Sequence, residues 1–85
     1  MSTTYDVTTT LDVKGLSCPM PVVKTKQSID DLEAGDVLRV LATDRGSLSD
    51  IEGWAGSSSS VELLDQEEVD EGGETVYQHD IRRVE

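Results

Sequence analysis

Cysteine occurs once in this 85-residue chain, at Cys18 in Gly15-Leu16-Ser17-Cys18-Pro19-Met20-Pro21, and the only two prolines follow it directly. Proline disfavours the helical region for the residue before it, so Cys18 is expected to be extended, as an N-cap residue is. Pro19 and Pro21 then occupy the first and third helical positions, where first-turn amides have no intrahelical acceptor and neither ring costs a hydrogen bond. With those two amides gone, the Met20 N–H is the donor expected to point back at the Cys18 sulfur. That donor and the positive end of the helix dipole favour thiolate over thiol. Helix N-termini lower a cysteine pKa from about 8.5 to roughly 3.5 to 7.5, so the chemistry on offer is nucleophilic attack at neutral pH. Without such a setting, a lone cysteine is a small buried hydrophobe.

The remaining composition narrows what that thiol can do. One cysteine excludes an intrachain disulfide, and one Cys with one His cannot supply a zinc site from a single chain. No metal or resident cofactor is therefore expected, and sulfur or redox chemistry requires a second molecule. Eighteen acids against seven bases give a net charge of −11, a surface that repels phosphate backbones, so direct nucleic-acid binding is not expected. All three lysines, Lys14, Lys24 and Lys26, lie near the cysteine segment, either as solvated surface or as a docking patch. The acids of residues 65 to 74 lack the ordered spacing of a calcium loop. An acid-rich, lysine-poor surface also suits a protein working in high salt, where charge repulsion is screened. No apolar run approaches the ~20 residues of a membrane span. Met1 to Thr10 lacks the regions of a signal peptide, and a cytoplasmic protein is expected.

The stretch Leu11-Asp12-Val13-Lys14-Gly15-Leu16-Ser17-Cys18-Pro19-Met20-Pro21-Val22 resembles the signature of the TusA/SirA-like small sulfur-carrier proteins, with its Cys-Pro-x-Pro motif after a first strand. Leu41-Ala42-Thr43-Asp44-Arg45-Gly46-Ser47-Leu48-Ser49-Asp50-Ile51 resembles the family's second block, where an acidic turn opens the second helix; Asp44, Gly46 and Asp50 match it. The similarity covers about residues 9 to 83. Arg45 stands where relatives often have proline. Where some relatives carry a second cysteine, this chain has Trp54-Ala55, so an internal disulfide relay is ruled out.

The elements that position these residues follow from periodicity. Tyr5 to Val13 alternates with period two and reads as a first strand after a tail over residues 1–4, in a single domain over 5–85. A helix is predicted from Pro19 to about Glu33, with Val22, Ile29 and Leu32, and Thr25 or Lys26 between them, as its buried stripe. Gly35-Asp36 closes it. Val37 to Ala42 reads as a central strand. Leu48, Ile51, Trp54 and Ala55 mark a short second helix, opened by Asp44 or Ser47 as cap and ended by Gly56. Val61 begins a third strand. Asp70-Glu71-Gly72-Gly73 turns into an antiparallel fourth over Thr75 to Val84, where His79 reads as part of an edge-like strand without a catalytic role. The order β-α-β-α-β-β with a right-handed first crossover gives an α+β, two-layer sandwich: a mixed four-stranded sheet carrying two helices on one face. The resemblance implies the same fold, similar to the C-terminal domain of translation initiation factor 3.

The resemblance further implies that Cys18 carries sulfur as a transient persulfide, received from a cysteine desulfurase or rhodanese-like protein and passed to an acceptor protein in transfer-RNA thiolation or cofactor biosynthesis. Pro19, Met20 and Pro21 would support the sulfur, and a monomer would suit a shuttle. The residues by themselves also allow a regulatory thiol that forms mixed disulfides, or a structural adaptor in which the motif only caps a helix.

Overall fold

The computed structural model describes residues 6–17 and 20–85; residues 1–5, and with them the expected tail and the start of the first strand, lie outside the described residues, as do Cys18 and Pro19. The order is β1 Thr9–Asp12, α1 Met20–Asp30, β2 Val37–Ala42, α2 Ser47–Ser57, β3 Val61–Glu71 and β4 Glu74–Arg83. The sheet runs β1-β2-β4-β3, with β1 parallel to β2 and the other neighbours antiparallel. The expected α+β sandwich with a central, apolar β2 is the observed fold.

Period-two alternation divides the sheet into two faces of different chemistry. Leu38, Val40 and Ala42 point to the helices, and the register places Ile81, His79 and Tyr77 beside them. Val13, Ile29, Ile51, Ala55 and Val61 complete that core, with Leu11, Val22, Leu32, Trp54 and Leu63 packed against it. The opposite face carries Arg39 directly across from Asp80, joined by two hydrogen bonds of 2.9 and 3.0 Å. Asp80 is 2% exposed, so the carboxylate has traded water for this bidentate guanidinium.

Several boundaries differ from the periodicity reading, each for a local reason. β1 is four residues long, Thr9 to Asp12 facing Leu38 to Leu41, and Thr8 N–H to Val37 O and Val13 N–H to Leu41 O, both 2.8 Å, extend the contact at its two ends. Regular α1 stops at Asp30, where Asp31 and Leu32 switch to bonds with Ser28 and Ile29 three residues back. Of the two residues left open for its stripe, Thr25 is buried, its hydroxyl donating to Pro21 O at 2.7 Å, and Lys26 is exposed. Gly56 does not end α2: Ser57 continues it, with its hydroxyl donating to Gly53 O at 2.8 Å. The Gly72-Gly73 turn has φ +59° and +88°, the left-handed pair that a two-residue hairpin needs.

His79 requires a correction. β4 lies between β2 and β3, so His79 is on an inner strand and fully buried; its polar neighbours Gln78 and Asp80 belong to the other face. A bulge at Leu64 shifts β3 by one residue and turns Gln66 to the helix side. Gln66 Nε2 donates to Leu48 O at 3.1 Å and sits 3.0 Å from His79 Nδ1. Since Leu48 O can only accept, the amide nitrogen faces both groups and Nδ1 is the acceptor. The ring proton is then on Nε2, donated to Ser47 Oγ at 3.1 Å. Burial lowers the His79 pKa from 6.5 to about 4, against an opposing pull from the Asp80 charge.

Arg83 finishes α1 from a distance. That helix has no basic residue in its last turn, and Arg83 Nη1 donates to the carbonyls of Ile29, Asp30 and Leu32 at 2.8, 3.2 and 2.6 Å.

Arg83→Ala strands these carbonyls and is expected to cost about 2 kcal/mol in urea unfolding, as charge-assisted bonds do. Asp80→Ala leaves Arg39 without its carboxylate in a half-buried site and is expected to cost about 3 kcal/mol in the same assay. Folded His79 takes up its proton only near pH 4 whereas the unfolded chain does so near 6.5. Its contribution is therefore complete above 6.5 and declines as pH falls through 6.5 towards 4. The stability gap between wild type and His79→Gln is expected to narrow from about pH 7 to 5; a constant gap would contradict a neutral buried ring.

Candidate functional site

The parallel pairing of β1 and β2 places the loops that follow both strands at one end of the sheet, with the N-termini of α1 and α2 beside them. A direct bond joins the loops: Gly15 N–H donates to Thr43 Oγ1 at 2.9 Å. Gly15 has φ +85°, a left-handed conformation that glycine adopts without strain, so the chain can turn there from β1 towards Cys18. Lys14 N–H to Asp12 Oδ1 at 2.9 Å and Leu16 N–H to Val13 O at 3.2 Å hold the turn. Cys18 and Pro19 lie outside the described residues, but both flanks of the motif are defined.

The Met20 amide differs from expectation. Its N–H donates to Ser17 O at 2.9 Å, so this donor is already engaged by backbone. The Pro21 ring is fully buried and anchors the first turn of α1. The residues that flank the cysteine in sequence expose apolar surface: Leu16, Met20 and Val23 are 37%, 39% and 37% exposed, three of the four exposed large hydrophobic residues among those described. Met20 and Val23 lie three apart, on neighbouring positions of one helix surface, and Lys24 follows at the next such position.

The lysines separate into different roles. Lys14 sits 3.9 Å from Asp12 and 3.7 Å from Glu71, tying the motif loop to the tip of the β3–β4 hairpin. Lys24 and Lys26 are exposed on α1. Lys26 lines a cleft with Ile29, Asp30, Trp54 and Val61, towards the C-terminal halves of the helices and away from the motif.

In the second block, Asp44 does the capping: its Oδ1 accepts from Gly46 N–H at 3.0 Å and its carbonyl from Ser47 N–H at 3.0 Å. Gly46 itself is helical at φ −62°, so the stabilising carboxylate sits two residues before the residue that formally precedes α2. Asp50 lies in the first turn of α2, where its charge complements the dipole, and its N–H donates to Gly46 O at 3.1 Å. Ser47 is not a cap, since its hydroxyl is buried against His79. Thr43, Gln66 and His79 were not marked as site-supporting by sequence. Thr43 could have been found as the first residue past β2, where parallel strands bring successive loops together; the bulge that brings in Gln66 leaves no pattern in sequence.

Comparison with known proteins agrees with this architecture. A family model described as sulfurtransferase TusA matches residues 9–81. A protein of Halobacterium salinarum named as a sulfur carrier is 62% identical over 99% of both chains. The sulfur carrier protein TusA of Allochromatium vinosum is 40% identical over 74% of this chain and 79% of its own. The crystal structure of a SirA-like protein from Desulfitobacterium hafniense superposes with a TM-score of 0.65 at 30% identity, covering 91% of this chain and 99% of that one. With the family model matched over residues 9–81 and the two-layer fold shared, the chain belongs to the TusA/SirA-like family of small sulfur-carrier proteins.

Proposed function

We propose that Cys18 is the sulfur-bearing atom of this carrier and works as a relay between two proteins. In the loading step the Cys18 thiolate attacks the terminal sulfur of a persulfide on a cysteine desulfurase or rhodanese-like donor. The donor's S–S bond breaks, its cysteine leaves as a thiolate, and a new S–S bond forms on Cys18. In the unloading step an acceptor thiolate attacks the terminal sulfur and Cys18 is released as thiolate. Both steps are exchanges without net oxidation, so neither requires a resident metal or cofactor. The downstream product is thiolated transfer RNA or a sulfur-containing cofactor, reached through an acceptor protein rather than by contact with nucleic acid.

The observation that carries this reading is the collar of exposed apolar residues, Leu16, Met20 and Val23, that flanks the single cysteine in sequence. A buried structural thiol needs no such collar, whereas a site visited by two partners in turn needs exposed apolar area to contact each of them. Lys24 borders that collar, whereas Lys14 is held by Asp12 and Glu71 and Lys26 faces the cleft beside Trp54. The acidic surface supports a protein working in concentrated salt, as a monomer in the cytoplasm. No helix among the described residues is long and apolar enough to cross a membrane.

Intact-mass analysis after incubation with a cysteine desulfurase and cysteine is expected to show a gain of one sulfur atom that reductant reverses. Cys18→Ser is expected to gain none. Mixed disulfides formed without any sulfur gain would favour the regulatory thiol instead. A net charge of −11 also predicts a melting temperature that rises with added KCl as repulsion is screened. A flat profile would remove the high-salt reading.

A further inference from the structure

Four arginines are present, and three of them have structural partners. Arg39 is forked onto Asp80, Arg82 reaches Glu62 at 3.5 Å, and Arg83 finishes α1. Arg45 is exposed and makes no ion pair with any described residue, although twelve acids lie in residues 44 to 85. Its position also opposes local stability. It lies just before the first turn of α2, where the helix dipole disfavours a cation and favours carboxylates such as Asp44, its neighbour in sequence, and Asp50 in the first turn.

The same arginine stands at the motif end of the sheet. Thr43, two residues before it, accepts the Gly15 N–H at 2.9 Å, and Gly15 is three residues before Cys18. Arg45 therefore places a guanidinium at the end of the molecule that carries exposed Leu16, Met20 and Val23. Exposed apolar residues and an arginine without an ion pair among the described residues, at one end of the sheet, make up the composition of an interface centre, where arginine and methionine are enriched and arginine is a frequent hot spot.

Resting on the carrier reading, we propose that Arg45 is a partner-selecting residue: it docks a sulfur-donor protein whose surface presents a carboxylate beside an apolar contact. The chemistry of the occupant follows from charge. On a chain of net charge −11, a guanidinium free to fork onto a carboxylate gives one specific attractive contact on a surface that otherwise repels acidic proteins. Lys24, one turn along α1 from Met20, lies on the same helix surface as the patch.

The test compares wild type, Arg45→Glu and Arg45→Lys in two loading reactions followed by intact mass. One uses a purified cysteine desulfurase with 35S-cysteine over a range of carrier concentrations. The other uses inorganic polysulfide, a small donor that needs no docking surface. Arg45→Glu is expected to raise the half-saturating carrier concentration for the desulfurase by roughly tenfold or more. Arg45→Lys is expected to recover part of the loss, since it keeps the charge without the fork. Polysulfide loading is expected to stay at the wild-type rate, and the melting temperature to stay level or rise, because the substitution agrees with the α2 dipole. Equal losses in both reactions would place Arg45 on the sulfur itself and overturn the docking role, as would no loss in either. A wild type that takes sulfur from neither donor would instead overturn the carrier reading and take this inference with it.

Discussion

The parallel alignment of β1 with β2 is the constraint on which the rest of the molecule depends. Parallel neighbours cannot be joined by a tight turn, so the chain must return along a helix before the second strand begins. Because β3 runs in the same direction as β2, α2 must make a second return on the same face. Two helices returning side by side bring both N-termini to one end of the sheet. The Gly15 to Thr43 bond joins the two loops there, and the Lys14 to Glu71 pair brings the hairpin tip to the same place. The meeting of the two motif blocks thus follows from strand direction before any side chain is considered.

The stabilising chemistry is distributed by face. On the helix side, apolar packing is interrupted only by small satisfied groups: Thr25 on Pro21 O, and Ser47, His79 and Gln66 in one chain of bonds. On the other side, one forked ion pair sits across the central strands. Exposed Glu62, Asp65, Glu68, Asp70 and Glu71 line β3, the long edge strand. Charges of one sign along an edge discourage pairing with a second chain, so the acidity that raises net charge also protects an 11-residue strand from edge-to-edge association.

What was legible in the sequence was mostly local. The Gly72-Gly73 turn, the apolar run of Val37 to Ala42 and the helix after the prolines each follow from a few neighbouring residues. So did the family, because two motif blocks stand at the right separation. What escaped was set by contacts distant in sequence. The burial of His79 depends on β4 lying inside the sheet, and the polar residues beside it belong to the opposite face. The capture of the Met20 amide by Ser17 O depends on loop geometry that proline preferences alone do not specify. Arg83 as the terminator of α1 could not be read from α1, whose last turn holds no cation.

That last contact has a temporal side. Arg83 is 51 to 54 residues beyond the carbonyls that it binds. At synthesis rates of about 5–20 residues per second, roughly 3–10 s separate the emergence of α1 from that of its cap. Through that interval the helix bearing Met20 and Pro21 is unfinished at its far end, and β4, the strand that fills the sheet between β2 and β3, is also missing. The residues around the Cys-Pro-x-Pro motif therefore leave the ribosome seconds before the arginine that completes the helix behind them.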